Sequence, residues 1–138
     1  MYNLTDLQIA VIEQLGFETL NEEVASTLHD VMNHGADGGF TGFIYYSETI
    51  DFFDNNKDLI MQQLIEDRWG IGYDSLTQML SSFNCFKGIE TYNIERFLIN
   101  TEDEENEDQQ TLKNGLAWYA LEEVAHQLEE EIDEILEN

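Results

Sequence analysis

The chain has 138 residues, enough for one domain with a real buried core. Thirty Asp and Glu face five Lys and Arg, a formal net charge of −25, where small soluble domains carry a magnitude of about 2–8. A field of that sign all but excludes direct binding to DNA, RNA or anionic membrane, and favours a partner with a basic surface.

Proline is absent, so turns fall to Gly, Asn and Asp, as expected of a mainly helical chain. Thr5-Asp-Leu-Gln8 has the form of a capping box, and Leu7, Ile9, Val11, Ile12 and Leu15 supply a first helix ending at Gly16. Thr19-Leu-Asn-Glu22 forms a second box ahead of Leu20, Val24, Leu28, Val31 and Met32, with Gly35 as the stop. Residues 33–42 hold four of the nine glycines and read as a loop. Phe43-Ile-Tyr-Tyr46 fits either a short strand or the buried start of the next helix. A short helix from Ser47 carries Ile50, Phe52 and Phe53, and Asp54-Asn-Asn56 breaks it. The next runs from Asn56 or Lys57 through Leu59, Ile60, Leu64, Ile65 and Trp69 to Gly70. Asp74 caps another, bearing Leu76, Met79, Leu80 and Phe83, before a turn at Gly88. Residues 89–100 fit a helix, and alternation of Tyr92, Ile94 and Leu98 also fits a strand. The charge run at 102–108 reads as a solvated loop or frayed helix start.

The last segment dominates. Leu112, Leu116, Ala117, Ala120, Leu121, Val124, Leu128, Ile132, Ile135 and Leu136 recur at helical spacing, predicting one helix from Leu112 to Glu137, about 38 Å long. Glu122, Glu123, Glu129, Glu130, Glu131, Asp133, Glu134 and Glu137 interrupt that stripe, eight carboxylates along about 24 Å. One charge per ~3 Å is close to the phosphate spacing of a single DNA strand, ~3.4 Å. Residues 101–138 hold fourteen acids and one Lys, about half of the net charge. Exposed helical faces ordinarily mix signs, because like charges at i,i+4 lose a few tenths of a kcal/mol. Either salt adaptation or a cationic partner accounts for such a helix.

The expectation is therefore a mainly α, compact single-domain fold spanning 1–138, with 101–138 an acidic loop plus a long acidic C-terminal helix packed on the rest. Room is left for a short β pair between 43–46 and 89–99. The lone Cys85 provides no intrachain disulfide. No apolar run reaches membrane-span length and the N-terminus lacks a basic-then-apolar signal, so a cytoplasmic protein is expected.

Sites that would carry chemistry are sparse. Glu123-x-x-His126 is half of a di-metal motif whose second half is missing. His29, His34 and Asp37 offer metal-ligand types, but the two histidines are five residues apart, off the one-face spacing of helical zinc sites. The Gly35–Gly42 loop lacks the Lys-Ser/Thr of a phosphate cradle, and aromatic packing explains it better. Asp54–Asp58 opens like a calcium loop, yet Leu59 stands where the turn Gly belongs and Ile65 where the bidentate Glu belongs. No Ser or Cys has a recognisable nucleophile setting. The sequence thus predicts no catalytic residue, no cofactor and no metal.

In size, charge, lack of basic patches and acidic helical C-terminus, carried by Glu102–Asp108 and Glu122–Glu137, the chain resembles the DNA-mimic inhibitors that phages and plasmids carry against restriction and CRISPR enzymes. That resemblance is of physical type and not of motif. It implies a compact protein displaying carboxylates where a target enzyme expects phosphates, its partner being the basic surface of a nucleic-acid-binding protein. The residues implied are Glu104, Glu105, Glu122, Glu123, Glu129, Glu130, Asp133, Glu134 and Glu137. Asn33–Tyr46 also resembles small phage or mobile-element proteins of no assigned function. The alternative is a non-enzymatic interaction module using Phe40, Phe43, Tyr45 and Tyr46.

Overall fold

A computed structural model describes residues 3–34, 40–66 and 107–137, and among these it holds six α-helices and no strand. The fold is mainly helical, as the sequence predicts.

α1 (Asp6–Gln14) opens on the predicted box. The Gln8 backbone N–H donates to Thr5 Oγ1 at 3.2 Å, and Thr5 N–H donates to Gln8 Oε1 at 3.0 Å. Two donors orphaned at the helix start are thereby satisfied. Past its end, Gly16 takes φ +95°, a conformation that favours glycine. Leu7, Val11, Ile12 and Leu15 are buried, whereas Ile9 is partly exposed and Gln8 takes the inward place. Burial of Gln8 is tolerated because its amide is engaged at both ends, the Nε2 donating to Gln127 Oε1 at 2.9 Å.

α2 (Glu22–His34) starts two residues later than a cap at Thr19 predicts. The capping side chain is Asn21, whose Oδ1 accepts from Val24 N–H at 2.9 Å, while its carbonyl accepts from Ala25 N–H. Leu20 is thereby left free to bury ahead of the helix, in line with Val24, Leu28 and Val31.

Phe40–Tyr45 form a turn and bends, not a strand, and lead into α3 (Tyr46–Asn55). Glu48 Oε1 accepts from Tyr45 N–H at 3.1 Å and marks the helix start. Phe52 and Phe53 are buried. The break before α4 (Lys57–Glu66) is one residue, shorter than the predicted Asp54–Asn56. Asn56 serves both helices: its Nδ2 donates to Phe52 O at 2.9 Å, and its carbonyl accepts from Ile60 N–H. Ile60 and Leu64 face inward, and Ile65 is exposed. Trp69, Gly70, the helix after Asp74, Cys85, Gly88, residues 89–100 and the charge run through 106 lie outside the described residues, as does Gly35–Gly39.

The C-terminal segment is two helices, α5 (Glu107–Gln127) and α6 (Glu129–Glu137), about 31 and 13 Å long. The single 38 Å helix expected from periodicity is interrupted at Leu128. The interruption is one residue long, and Leu128 N–H still donates to Val124 O while its carbonyl accepts from Ile132 N–H. His126 lies in the last turn of α5, and Glu129, Glu130 and Glu131 lie in the first turn of α6, where the helix dipole favours negative charge.

α5 is the core. It packs against α1, α2, α3 and α4, and Leu112, Leu116, Ala117, Tyr119, Ala120, Leu121, Val124 and Ala125 are buried around much of its circumference. Polar ties fix α3 to it: Thr49 Oγ1 donates to Asn114 Oδ1 at 2.7 Å, and Lys113 Nζ lies 2.9 Å from Asp54 Oδ1. α6 instead buries one face, Leu128 and Ile132 with Ile135 partly covered, and packs on α2.

Candidate functional site

Where a helix is held by only one face, everything else on it meets solvent. On α6 that remainder is almost wholly carboxylate. Glu129, Glu130, Asp133, Glu134 and Glu137 are exposed, and Glu131 is half-buried. Six acids in about 13 Å is one charge per ~2.3 Å, denser than a DNA single strand at ~3.4 Å. Glu129/Asp133, Glu130/Glu134 and Asp133/Glu137 are like-charge i,i+4 pairs, and no Lys or Arg lies on the helix. Glu22, Glu23 and Asp30 on α2, the helix beneath, are exposed as well.

Glu122 and Glu123, predicted to share this surface, belong to α5 and are half-buried. Burial pushes the Glu122 carboxyl above its ordinary 4.5, and the nearby His126 works against that rise. The acidic run is therefore split, with the exposed charge concentrated beyond Leu128. Glu104 and Glu105 lie outside the described residues.

The aromatic alternative divides differently. Phe40 and Phe43 are buried around Trp118, at ring-centroid distances of 6.1 and 5.8 Å, and Phe43 also meets Phe52 at 5.2 Å. They are core side chains, because a segment anchored on α5 turns its largest apolar groups inward. Tyr45 is 67% exposed, and beside it Ile44 is 55% exposed, a residue the sequence reading did not single out. Tyr46 opens α3. The approach of Gly42 to α1 fixes this loop. A Cβ at Gly42, φ +84°, would stand 2.0 Å from Gln14 O, and Gln14 Nε2 donates to Gly42 O at 2.8 Å.

His29 Nε2 lies 3.0 Å from Asn33 Nδ2, His34 ends α2, and Asp37 falls outside the described residues. His126 is exposed and Glu123 half-buried. Among the described residues no three His, Cys, Asp or Glu gather as a metal-holding group. Asp54–Asp58 joins two helices, with Asp54 paired to Lys113 and Asn56 capping. None of the described helices is long and apolar enough to cross a membrane.

Where the start of α1, one face of α4 and the end of α5 converge lies a cleft of about 470 Å³ that the sequence reading did not foresee. It is lined by Thr5, Asp6, Leu7, Gln8, Leu59, Gln62, Gln63, Glu66 and Gln127. Glutamines scattered over three helices carry no periodic signal, so only folding assembles them.

Fold and surface together define a small helical domain in which a central helix carries the core and a short helix after it carries a dense run of exposed carboxylates. The chain belongs to the family described as Domain of unknown function (DUF7222), whose model matches residues 8–134, from α1 to within α6. No curated protein and no solved structure matches the chain.

Proposed function

We propose that this is a cytoplasmic, non-enzymatic DNA mimic that occupies the basic nucleic-acid groove of a host-defence or other DNA-processing enzyme and inhibits it. The supporting observation is α6, with five exposed carboxylates and no Lys or Arg on a helix anchored by Leu128 and Ile132. Its like-charge pairs weaken the free protein, and a groove lined with Lys and Arg would turn each repulsion into a contact. Attraction would be steered by the field of the whole chain, −25, and would weaken steeply as salt screens it.

The test is capture of bacterial lysate proteins on the immobilised chain, with stepped salt elution. A DNA-handling enzyme displaced by competing duplex DNA is expected, and its activity should be inhibited by the free protein. Changing Glu130, Asp133, Glu134 and Glu137 together to Lys should abolish that inhibition while leaving helix content unchanged. Full inhibition by the variant would remove α6 from the mechanism.

A second reading, an interaction module, draws support from the adjacent exposed Ile44 and Tyr45. Its partner would resist salt and ignore DNA, and Tyr45→Ala would release it.

A further inference from the structure

We infer that the cleft between α1, α4 and α5 receives an arginine side chain presented by a protein partner. The inference stands on the cleft's own lining and not on the acidic helix.

None of the nine described lining residues is cationic, and two, Asp6 and Glu66, are carboxylates exposed to solvent. The free N–H groups at a helix start would otherwise attract an anion. Here Thr5 and Gln8 engage two of the donors at the start of α1, and Asp6 places a negative charge in its first turn. An anion would also meet Glu66 and the field of the whole chain. A cation is the ligand that the charges accept.

The amides select among cations. Gln62, Gln63 and Gln127 line the cleft from two helices, each bringing an amide oxygen, and the Gln62 Nε2 donates to Glu66 Oε1 at 3.4 Å. Gln8 Nε2 donates to Gln127 Oε1 and so ties the end of α5 to α1. Several acceptors at separate points suit a planar group with five N–H donors better than the compact, strongly hydrated lysine ammonium with three. Leu7 and Leu59 supply apolar lining for the methylene stem. At about 470 Å³ the space holds one long side chain with part of the backbone carrying it, not a folded domain.

The experiment is titration of the ¹⁵N-labelled full chain with blocked Gly-Arg-Gly and blocked Gly-Lys-Gly at about 150 mM salt, followed by NMR. Saturable shifts are expected in the side-chain amides of Gln62, Gln63 and Gln127 and in the backbone amides of residues 5–8, with the lysine peptide about tenfold weaker. Glu66→Ala combined with Gln63→Ala should weaken the arginine peptide about tenfold. Glu66 is exposed and Gln63 half-buried, and unchanged circular dichroism checks the fold. The fourfold Lys variant of α6 should bind the arginine peptide within about twofold of the parent chain, which separates this cleft from the mimicry reading. Equal affinity for the two peptides, non-saturating shifts spread over α6, or full binding by the α4 variant would each overturn the inference. Tighter binding of free arginine than of the blocked peptide would also overturn it, by making the ligand an amino acid and not a partner's side chain.

Discussion

Asp133→Lys tests the premise that α6 is held in a repulsive state. Asp133 is exposed and lies four residues from both Glu129 and Glu137, and three from Glu130. Each such neighbour contributes about 0.2–0.5 kcal/mol, unfavourable between like charges and favourable between opposite ones. The reversal removes three repulsions and installs three attractions, one of them, the new cation ahead of Glu137, in the weaker orientation. The gain is about 1–3 kcal/mol at low ionic strength, or about 3–9 °C in Tm for a chain of this size. At about 1 M salt the Debye length falls to ~3 Å, and most of that gain should vanish. Urea unfolding of parent and variant at about 20 mM and about 1 M salt, with unchanged m-values, measures both effects. The same variant should bind the partner enzyme about tenfold more weakly, so stability and affinity move in opposite directions. A variant no more stable than the parent at low salt would show that the acids of α6 are not in net repulsion. A basic groove would then have no repulsion to relieve.

Two further outcomes follow from the packing and the buried acid. Gly42→Ala should cost about 2–4 kcal/mol in urea unfolding, because the new Cβ meets Gln14 O at 2.0 Å with φ at +84°; a loss below about 1 kcal/mol would mean that the loop moves off α1 without penalty. Glu122→Gln should be more stable than the parent at neutral pH. Burial raises the folded-state pKa of Glu122 above 4.5, so its favourable contribution is complete below 4.5 and is lost as pH rises through the raised value. The difference between the two proteins should therefore shrink to nothing on acidification below 4.5, and a difference that grew instead would reverse the assigned cause.

Local signals in this chain are strong because they need only neighbours in sequence. The Thr5–Gln8 box, the stop at Gly16 and the apolar positions of α2 form as written, since a capping side chain reaches only three residues along. The division at Leu128 does not show in the apolar period, because the stripe runs unbroken through Leu128, Ile132 and Ile135. Asn21 displaces Thr19 as the cap because Leu20 must bury, a choice made by the core.

By itself, then, the sequence determined the helical class, the excess of negative charge and its concentration toward the C-terminus, each a property of composition or period. Tertiary structure alone decided which groups meet solvent. It sank Phe40 and Phe43 against Trp118 and left Tyr45 with Ile44 outside, although all four share one short segment of similar hydropathy. It half-buried Glu122 and Glu123 because α5 is enclosed by four helices, and exposed the acids of α6 because that helix is covered chiefly on one face, by α2. It gathered four glutamines from three helices into one cleft. Period and charge are read along a chain, whereas burial depends on what packs opposite, and that partner is supplied from distant parts of the sequence.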